Sequence, residues 1–535
     1  MAAVVRSGEL VPQKIPTLSE DIYAAIIALL DTQSSISASM QASRMLYSLG
    51  MGPLLRMGVS IRTHKHLLSF CHFMRRNLPG CAQYLTKLSI CIPRYSFADA
   101  GGSVNVLETF KLCPLLVPIV SQLTHLDDLS IDYCEKLLHA DERLLDTLSA
   151  LKTVRTLRVT TFGYLTHELV NTIQSPLVSV HVDGVWPLVG GIVTTGSQLF
   201  PNPLEMLDRH QATLEKVFIR FCDLTAEVVR LSPITSVFPR VSALALMDCR
   251  VDERSVLVNA FPNLRYLEVT VTCKREDIES EDAPLPHIDD AYDLNRANLR
   301  CWPHLDHVYG DPDELYALGL HCTVTRLDFM CVLYEDPVLN LRTVVVDVRP
   351  SRVIVHCGLP GNLKDDDIND LDLTCLVGYE PNHTVTHLGV DLGLGSLSYD
   401  PILYQKAIVS MLKPLKVVRF FTFRVHAVAL EYEDEHHEPP SAAHLEILSK
   451  FHGKFLAFWV ARLAEAIPTL EYVCFRVWNK EAYWRVSRER GGTPQYTRLG
   501  LDAGHALVEA EGMQWHGGAK PELLLAVSDV AVEAS

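Results

Sequence analysis

The chain has 535 residues, 48% hydrophobic and 21% charged. That is the composition of a folded protein, too long for one small core, and it implies several domains or one elongated repeat array. A net charge of −16 at pH 7 argues against nonspecific attraction to nucleic acid or anionic membrane, and no stretch supplies the roughly 20 apolar residues that cross a bilayer.

The N-terminal MAAVVRSGELVPQKIP has no secretory apolar region, because Arg6 and Glu9 interrupt it. The 14 cysteines are scattered from Cys71 to Cys474 with no C-x-x-C pair, which fits buried, reduced thiols. A cytoplasmic or nuclear protein is the expectation. Leu18, Ile22, Ile26 and Leu30 then recur four apart, the spacing of one helical stripe, and Ser19 is placed to cap that helix. A second stripe runs through Met40, Leu46 and Leu49. The residues predict a helical module over 15–60 and a helical junction over 61–82. Whether the first stripe is core or interface stays open at this point. No Asp or Glu occurs between Gln33 and Ala98, while Arg44, Arg56, Arg62, Lys65, Arg75, Arg76, Lys87 and Arg94 do. This basic span suits either an acidic partner or solvent.

From residue 83 one pattern returns: apolar, two variable, apolar, one variable, apolar. It occurs as LTKLSI (Leu85, Leu88, Ile90), LDDLSI (Leu126, Leu129, Ile131), VRTLRV, LVSVHV, LEKVFI, VSALAL, LRYLEV, VTRLDF, VTHLGV, LKVVRF and LEYVCF. The last two apolar positions alternate as in a strand. One unit cannot bury its apolar side alone, whereas a stack can. Several successive units are 23–28 residues apart, inside the roughly 20–29 of leucine-rich repeats. ADERLLDTLSALKTV reads as a helix between two strands, with Asp141 near its start. An ordinary parallel α/β domain is the alternative. The array is expected over 83–478. SAAHLEILSKFHGKFLAFWVARLAEAIP reads as a helical segment with a break at Gly453, its most apolar part carrying Arg462 and Glu465; EAYWRVSRE reads as a closing strand, and 479–535 as a C-terminal cap ending in a frayed tail.

LSEDIYAAIIALLDTQSSISASMQASRMLYSLGMGPLLR resembles the F-box, the helical module that binds the Skp1-type adaptor of cullin–RING ubiquitin ligases. Leu18, Ile22, Ile26 and Leu30 match its opening segment. Ser43, Arg44 and Tyr47 look like its later Ser-Arg segment, and Gly52 to Arg56 is similar to its close. The family proline is Ser19 here, and DTQSSISASM replaces the usual Pro-x-Asp-Leu. An F-box followed by irregular leucine-rich repeats is similar to a group of fungal F-box-like proteins. That resemblance implies an α/β fold: an F-box-like helical module leading into an irregular leucine-rich-repeat solenoid, or horseshoe. It implies a non-catalytic substrate-recognition subunit without cofactors. Leu18, Ile22, Ile26, Leu30 and Arg44 would meet the adaptor, and the array would hold an unknown protein target. Candidate positions on the target face are Thr86, Asp127, Arg155, Ser179, Lys216 and Arg265. The alternatives are a repeat scaffold without ligase association and a concealed enzyme.

The residues offer little for the enzyme. VGGIVTTG lacks the order and lysine of a phosphate loop. Asp365–Asp372 is acidic but lacks the glycine and glutamate of a calcium loop. EDEHHEPPSAAH holds His436, His437 and His444, without the periodicity of a zinc site. KREDIESEDAPLPHIDDAYD reads as an acidic loop, and the Asn382 sequon as unused. No G-x-S-x-G or H-E-x-x-H occurs.

Overall fold

In the computed structural model the described residues are 18–78, 80–91, 110–184, 203–222, 224, 236–249, 251, 253–270, 288–332, 338–359, 384–394, 406, 409, 412–413, 415–427, 451, 453–477, 480–489 and 492–515. The chain divides into two compact units, Met1–Thr161 with Glu168–Leu177, and Phe162–His167 with Val178–Ser535.

The first unit begins with three helices, α1 (Glu20–Ala28), α2 (Gln33–Ala42) and α3 (Arg44–Arg56). Thr32 and Ser43 cap α2 and α3, their hydroxyls accepting from Ser35 N and Leu46 N at 3.2 Å each. Ser19 occupies the N-cap position of α1, but its side chain makes no cap bond. Its carbonyl alone serves the first turn, contrary to the sequence expectation. Ile27, Ile36 and Met40 form the core, with Leu30, Leu46, Leu49, Met51 and Leu54 packed against it. Gly50 allows α3 to approach α2, since a Cβ there would overlap Met40.

Next come β1 (Val59–Ile61), α4 (His64–Asn77), β2 (Lys87–Ile90), β3 (Asp128–Ile131) and β4 (Thr156–Thr160). The four strands pair in chain order, all parallel. Pairing thus starts at Val59, upstream of the first recognisable repeat. The helix expected after β3 runs over Arg143–Ser149. Asp141 accepts from Arg143 N at 3.1 Å and from its guanidinium at 2.9 and 2.6 Å.

The second unit holds β5 (Ser179–Asp183), β6 (Lys216–Arg220), β7 (Ala243–Met247), β8 (Tyr266–Thr270), β9 (His304–Gly310) and β10 (Thr323–Val332). They are followed by β11 (Arg352–Leu359), β12 (His387–Leu394), β13 (Phe420–Ala427), β14 (Tyr472–Val477), β15 (Lys480–Ser487) and β16 (Gln495–Leu499). β5 to β14 are parallel in chain order, and β15 and β16 are antiparallel. Parallel neighbours in chain order, joined by crossover segments, form an α/β architecture consistent with a repeat solenoid.

The repeat pattern marks the core. Leu88, Leu129, Leu157, Leu244, Leu267 and Leu327 are each at most 2% exposed. One unit sits differently from its expected register. Leu388 pairs with Phe421, so the β13 repeat is Val418, Phe421, Phe423, three residues later than LKVVRF suggests. Both readings satisfy the apolar spacing, and strand pairing chooses between them. β9 contains the proline-led unit WPHLDHV, whereas β11 is not among the occurrences that the sequence pattern marks. Gly310 takes the third apolar place in β9, and Pro350 precedes Val353 and Val355 where the first would fall.

Candidate functional site

In the first unit the stripe on α1 is divided. Leu18, Ile22 and Ile26 are each 46% exposed, whereas Ile27 is 2% exposed. Leu30 packs against the module core. Leu29, 83% exposed, continues the open row. Arg44, at the start of α3, and Tyr47, one turn on, are exposed as well. The helix therefore uses Ile27 to hold itself down and leaves an apolar row uncovered, a kind of patch that marks contact surfaces.

Of the six candidate target-face residues, the structure places Ser179 and Lys216 as the first residues of β5 and β6. Thr86, Asp127, Arg155 and Arg265 each precede a strand and belong to its entry. The carbonyl of Thr86 accepts from Asp127 N and Asp128 N at 2.8 and 3.0 Å, and that of Asp127 accepts from Arg155 N and Thr156 N at the same two distances. The Thr86 hydroxyl donates to Arg56 O at 3.2 Å, and Arg265 pairs with Asp306 at 3.3 Å. Strand alternation begins one residue after these four, and the residues flanking the fourth and sixth repeat positions point away from the buried leucines.

In the second unit those flanking positions gather an unexpected polar cluster. Arg326 donates Nε and Nη2 to the two oxygens of Asp328 at 2.8 and 2.6 Å. His307 lies 3.2 Å from Asp328, and His356 lies 3.0 Å from Asp391, which also meets Arg424 at 3.5 Å. The pairing register explains the second group, because His356, Asp391 and Arg424 are partners across β11, β12 and β13. Burial pushes the Asp328 carboxyl up, but the His307 and Arg326 charges and histidine hydrogen bonds outweigh it and hold it well below the usual range. For His356, burial favours the neutral ring. Hydrogen bonds to Asp328 and Asp391, with their charges, win and raise it to about 8. On β8, Glu268 is 1% exposed and accepts the Tyr266 hydroxyl at 2.8 Å. Burial pushes this carboxyl up to about 7, although the Tyr266 bond opposes the shift.

The C-terminal segment covers part of the same face. It consists of the helix Leu501–Ala510 and the residues up to Trp515. Arg326 donates to Gly512 O and Gln514 O at 3.0 and 2.7 Å, and Arg352 donates to Glu511 O at 2.7 Å. Met513 and Trp515 share a buried cluster with Ile354, Phe420, Cys474 and Tyr483. Gly504 is required at the contact, since a Cβ there would overlap the Tyr483 ring. The expected cap therefore folds back over the sheet as an ordered strap, and the final residues 516–535 lie outside the described set. Strap and sheet enclose a pocket of about 360 Å³ whose lining includes Arg476, Glu481, His505, Glu509 and Trp515. Glu481 is engaged there by His505, by the Tyr483 hydroxyl at 2.9 Å and by Arg476 at 3.3 Å.

Aligning repeat units would have exposed this cluster, because its charges recur at fixed offsets from the buried leucines. VGGIVTTG, Asp365–Asp372, His436, His437, His444 and Asn382 lie outside the described residues. Among the described residues there is no group of three or more His, Cys, Asp or Glu placed to hold a metal ion, and no helix long and apolar enough to cross a membrane.

No family model matches the chain, and no curated protein matches it in sequence. Among solved structures, the crystal structure of a TLR13–ssRNA13 complex aligns with 65% of this chain at 11% identity and a TM-score of 0.23. The match spans 50% of that protein. At that score the likeness carries no argument, and the fold rests on the strand pairing described above.

Proposed function

We propose that this chain is a non-catalytic recognition subunit of a cullin–RING ubiquitin ligase. The helices α1 to α3 dock a Skp1-type adaptor, and the strand array receives a protein target. The observation that carries this reading is the uncovered row of Leu18, Ile22 and Ile26 on a helix that keeps Ile27 for its own core. Arg44, exposed at the start of α3, suits an acidic partner. The charges of the second unit favour a structural role over a catalytic one, because Arg326 occupies both Asp328 oxygens and also ties down the strap.

The test is copurification. Ile22→Asp with Ile26→Asp places charge in an apolar contact without touching Ile27, and should abolish recovery of the adaptor. Circular dichroism must show the helices retained. Retained adaptor binding refutes the reading. A parent protein that binds partners but never an adaptor favours a repeat scaffold outside the ligase.

A further inference from the structure

The strap is held by groups that read its backbone. Arg326 has Nε and Nη2 fixed by the two oxygens of Asp328, a fully buried carboxylate on the same strand. The same guanidinium aims Nη1 at Gly512 O at 3.0 Å and Nη2 at Gln514 O at 2.7 Å. Arg352, its partner in the β10–β11 register, donates Nε to Glu511 O at 2.7 Å. These contacts are to carbonyls, which every chain in the same conformation presents. Side chains add the selectivity. Met513 and Trp515, two residues apart, enter the cluster of Ile354, Phe420, Cys474 and Tyr483, and the Trp515 ring meets the His356 ring in a T-shaped contact. The Glu511 carboxylate lies 2.9 Å from His387 Nε2. Gly512 has φ +61°, a conformation in which any other side chain is strained.

The strands beneath do not need the strap for their own pairing. β10 to β14 complete their parallel ladders with one another, so releasing residues 511–515 breaks no ladder bond. The strap also fits loosely. A pocket of about 360 Å³ remains between it and the sheet, whereas protein interiors keep few voids larger than a water molecule. A segment read through its carbonyls and two apolar anchors, laid across a face whose ladders are already complete, has the form of a bound peptide.

We propose that Glu511–Trp515 is a built-in occupant of the target site, an autoinhibitory plug that an extended segment of the target replaces on the face of β10 to β14. The inference rests on the reading of the strand array as the part that receives a protein target, and it names the surface and the chemistry of that segment. The segment carries an acidic residue to meet His387, a glycine after it, and two large apolar residues two apart, the second aromatic. Its carbonyls take over the Arg326 and Arg352 donors that the strap gives up, and its two apolar side chains refill the places of Met513 and Trp515. Because the strap is tethered, it competes at an effective concentration of about millimolar. A weak segment is therefore refused, and a target with further contacts to the array displaces the plug.

The experiment follows the fluorescence anisotropy of a labelled synthetic peptide, LVEAEGMQW, which copies residues 507–515. The full chain carrying Met513→Ala and Trp515→Ala, whose strap lacks its anchors, should bind this peptide saturably and at least about 30-fold more tightly than the parent does. Adding Arg352→Gln to that chain should weaken binding about 5- to 20-fold, and a peptide with Ala in place of its Met and Trp should not bind. Hydrogen exchange is the second measurement. In the parent, residues 511–515 should exchange through local opening at least about 100-fold faster than β10 to β14. Four results would overturn the proposal: no peptide binding by the doubly substituted chain, equal binding by both chains, exchange of the strap in step with the strands, or loss of protection throughout β10 to β14 in the doubly substituted chain, which would make the strap an integral part of the fold. Titrating the same chain with a Skp1-type adaptor separates the two readings. Adaptor binding without peptide binding refutes the plug alone, and peptide binding without adaptor binding refutes the ligase assignment alone.

Discussion

Replacing Glu268 by Gln should stabilise the second unit at pH 8 and change it little at pH 4.5. In the folded chain burial raises the Glu268 carboxyl from 4.5 to about 7. Below pH 4.5 the group is protonated in both folded and unfolded chains, and it contributes no penalty. As pH rises towards 7, the unfolded chain releases the proton and the folded chain keeps it, so stability falls; above 7 the loss is complete. A shift of this size corresponds to about 3 kcal/mol, and because the residue is 1% exposed no discount for solvent screening applies. Glutamine keeps an oxygen for the Tyr266 hydroxyl and cannot ionise. Guanidinium unfolding followed by tryptophan emission suits the purpose, since all 6 tryptophans belong to the second unit. The stability of the variant relative to the parent should grow from near zero at pH 4.5 to about 3 kcal/mol at pH 8. An equal difference at both pH values, or a less stable variant at pH 8, refutes the assignment of a buried, proton-retaining carboxyl.

His356 carries the opposite charge type. Its folded value is about 8 against 6.5, so its contribution is full below pH 6.5 and is lost as pH rises through 8. About 2 kcal/mol should leave the parent over that window and should be missing from His356→Gln in the same titration. Asp328→Asn strips Arg326 of its counter-ion and should destabilise the second unit by about 3–5 kcal/mol in denaturant unfolding. Leu267→Ala opens a cavity in the stack and should cost about 2–5 kcal/mol by the same measurement. Gly504→Ala forces the helix Leu501–Ala510 off the Tyr483 ring, which hydrogen exchange should report as lost protection over residues 501–515.

The buried leucines were legible because a strand repeats every two residues and a stack needs the same residues buried in each unit. Leu88, Leu129 and Leu267 illustrate this, each standing next to its counterpart on the neighbouring strand. The β13 unit was misplaced because Leu415, Val418, Phe421 and Phe423 satisfy the spacing in two registers, and only pairing with β12 separates them. β11 was missed because Pro350 occupies the first apolar place. The row on α1 was legible as a stripe, but its division was not. Ile27 faces the core through contacts with Ile36 and Met40, and a period of four does not reveal which flank a short bundle will close. The strap was illegible for a different reason. Arg326 and Arg352 bind its backbone carbonyls, and carbonyls leave no mark in a sequence. The His307–Asp328 and His356–Asp391 contacts depend on which strands are neighbours, information that appears once the units are aligned.

The most direct test of the central claim is a calorimetric titration of the purified chain with a purified Skp1-type adaptor. The exposed row of Leu18, Ile22 and Ile26 should give saturable binding with a Kd of about 1 μM or tighter. Joint replacement of Ile22 and Ile26 by Asp should weaken it by at least about 100-fold while Ile27 keeps the three helices folded. Absence of binding by the parent chain at tens of micromolar, or an affinity unchanged by the double substitution, contradicts the assignment of α1 as the adaptor-docking helix.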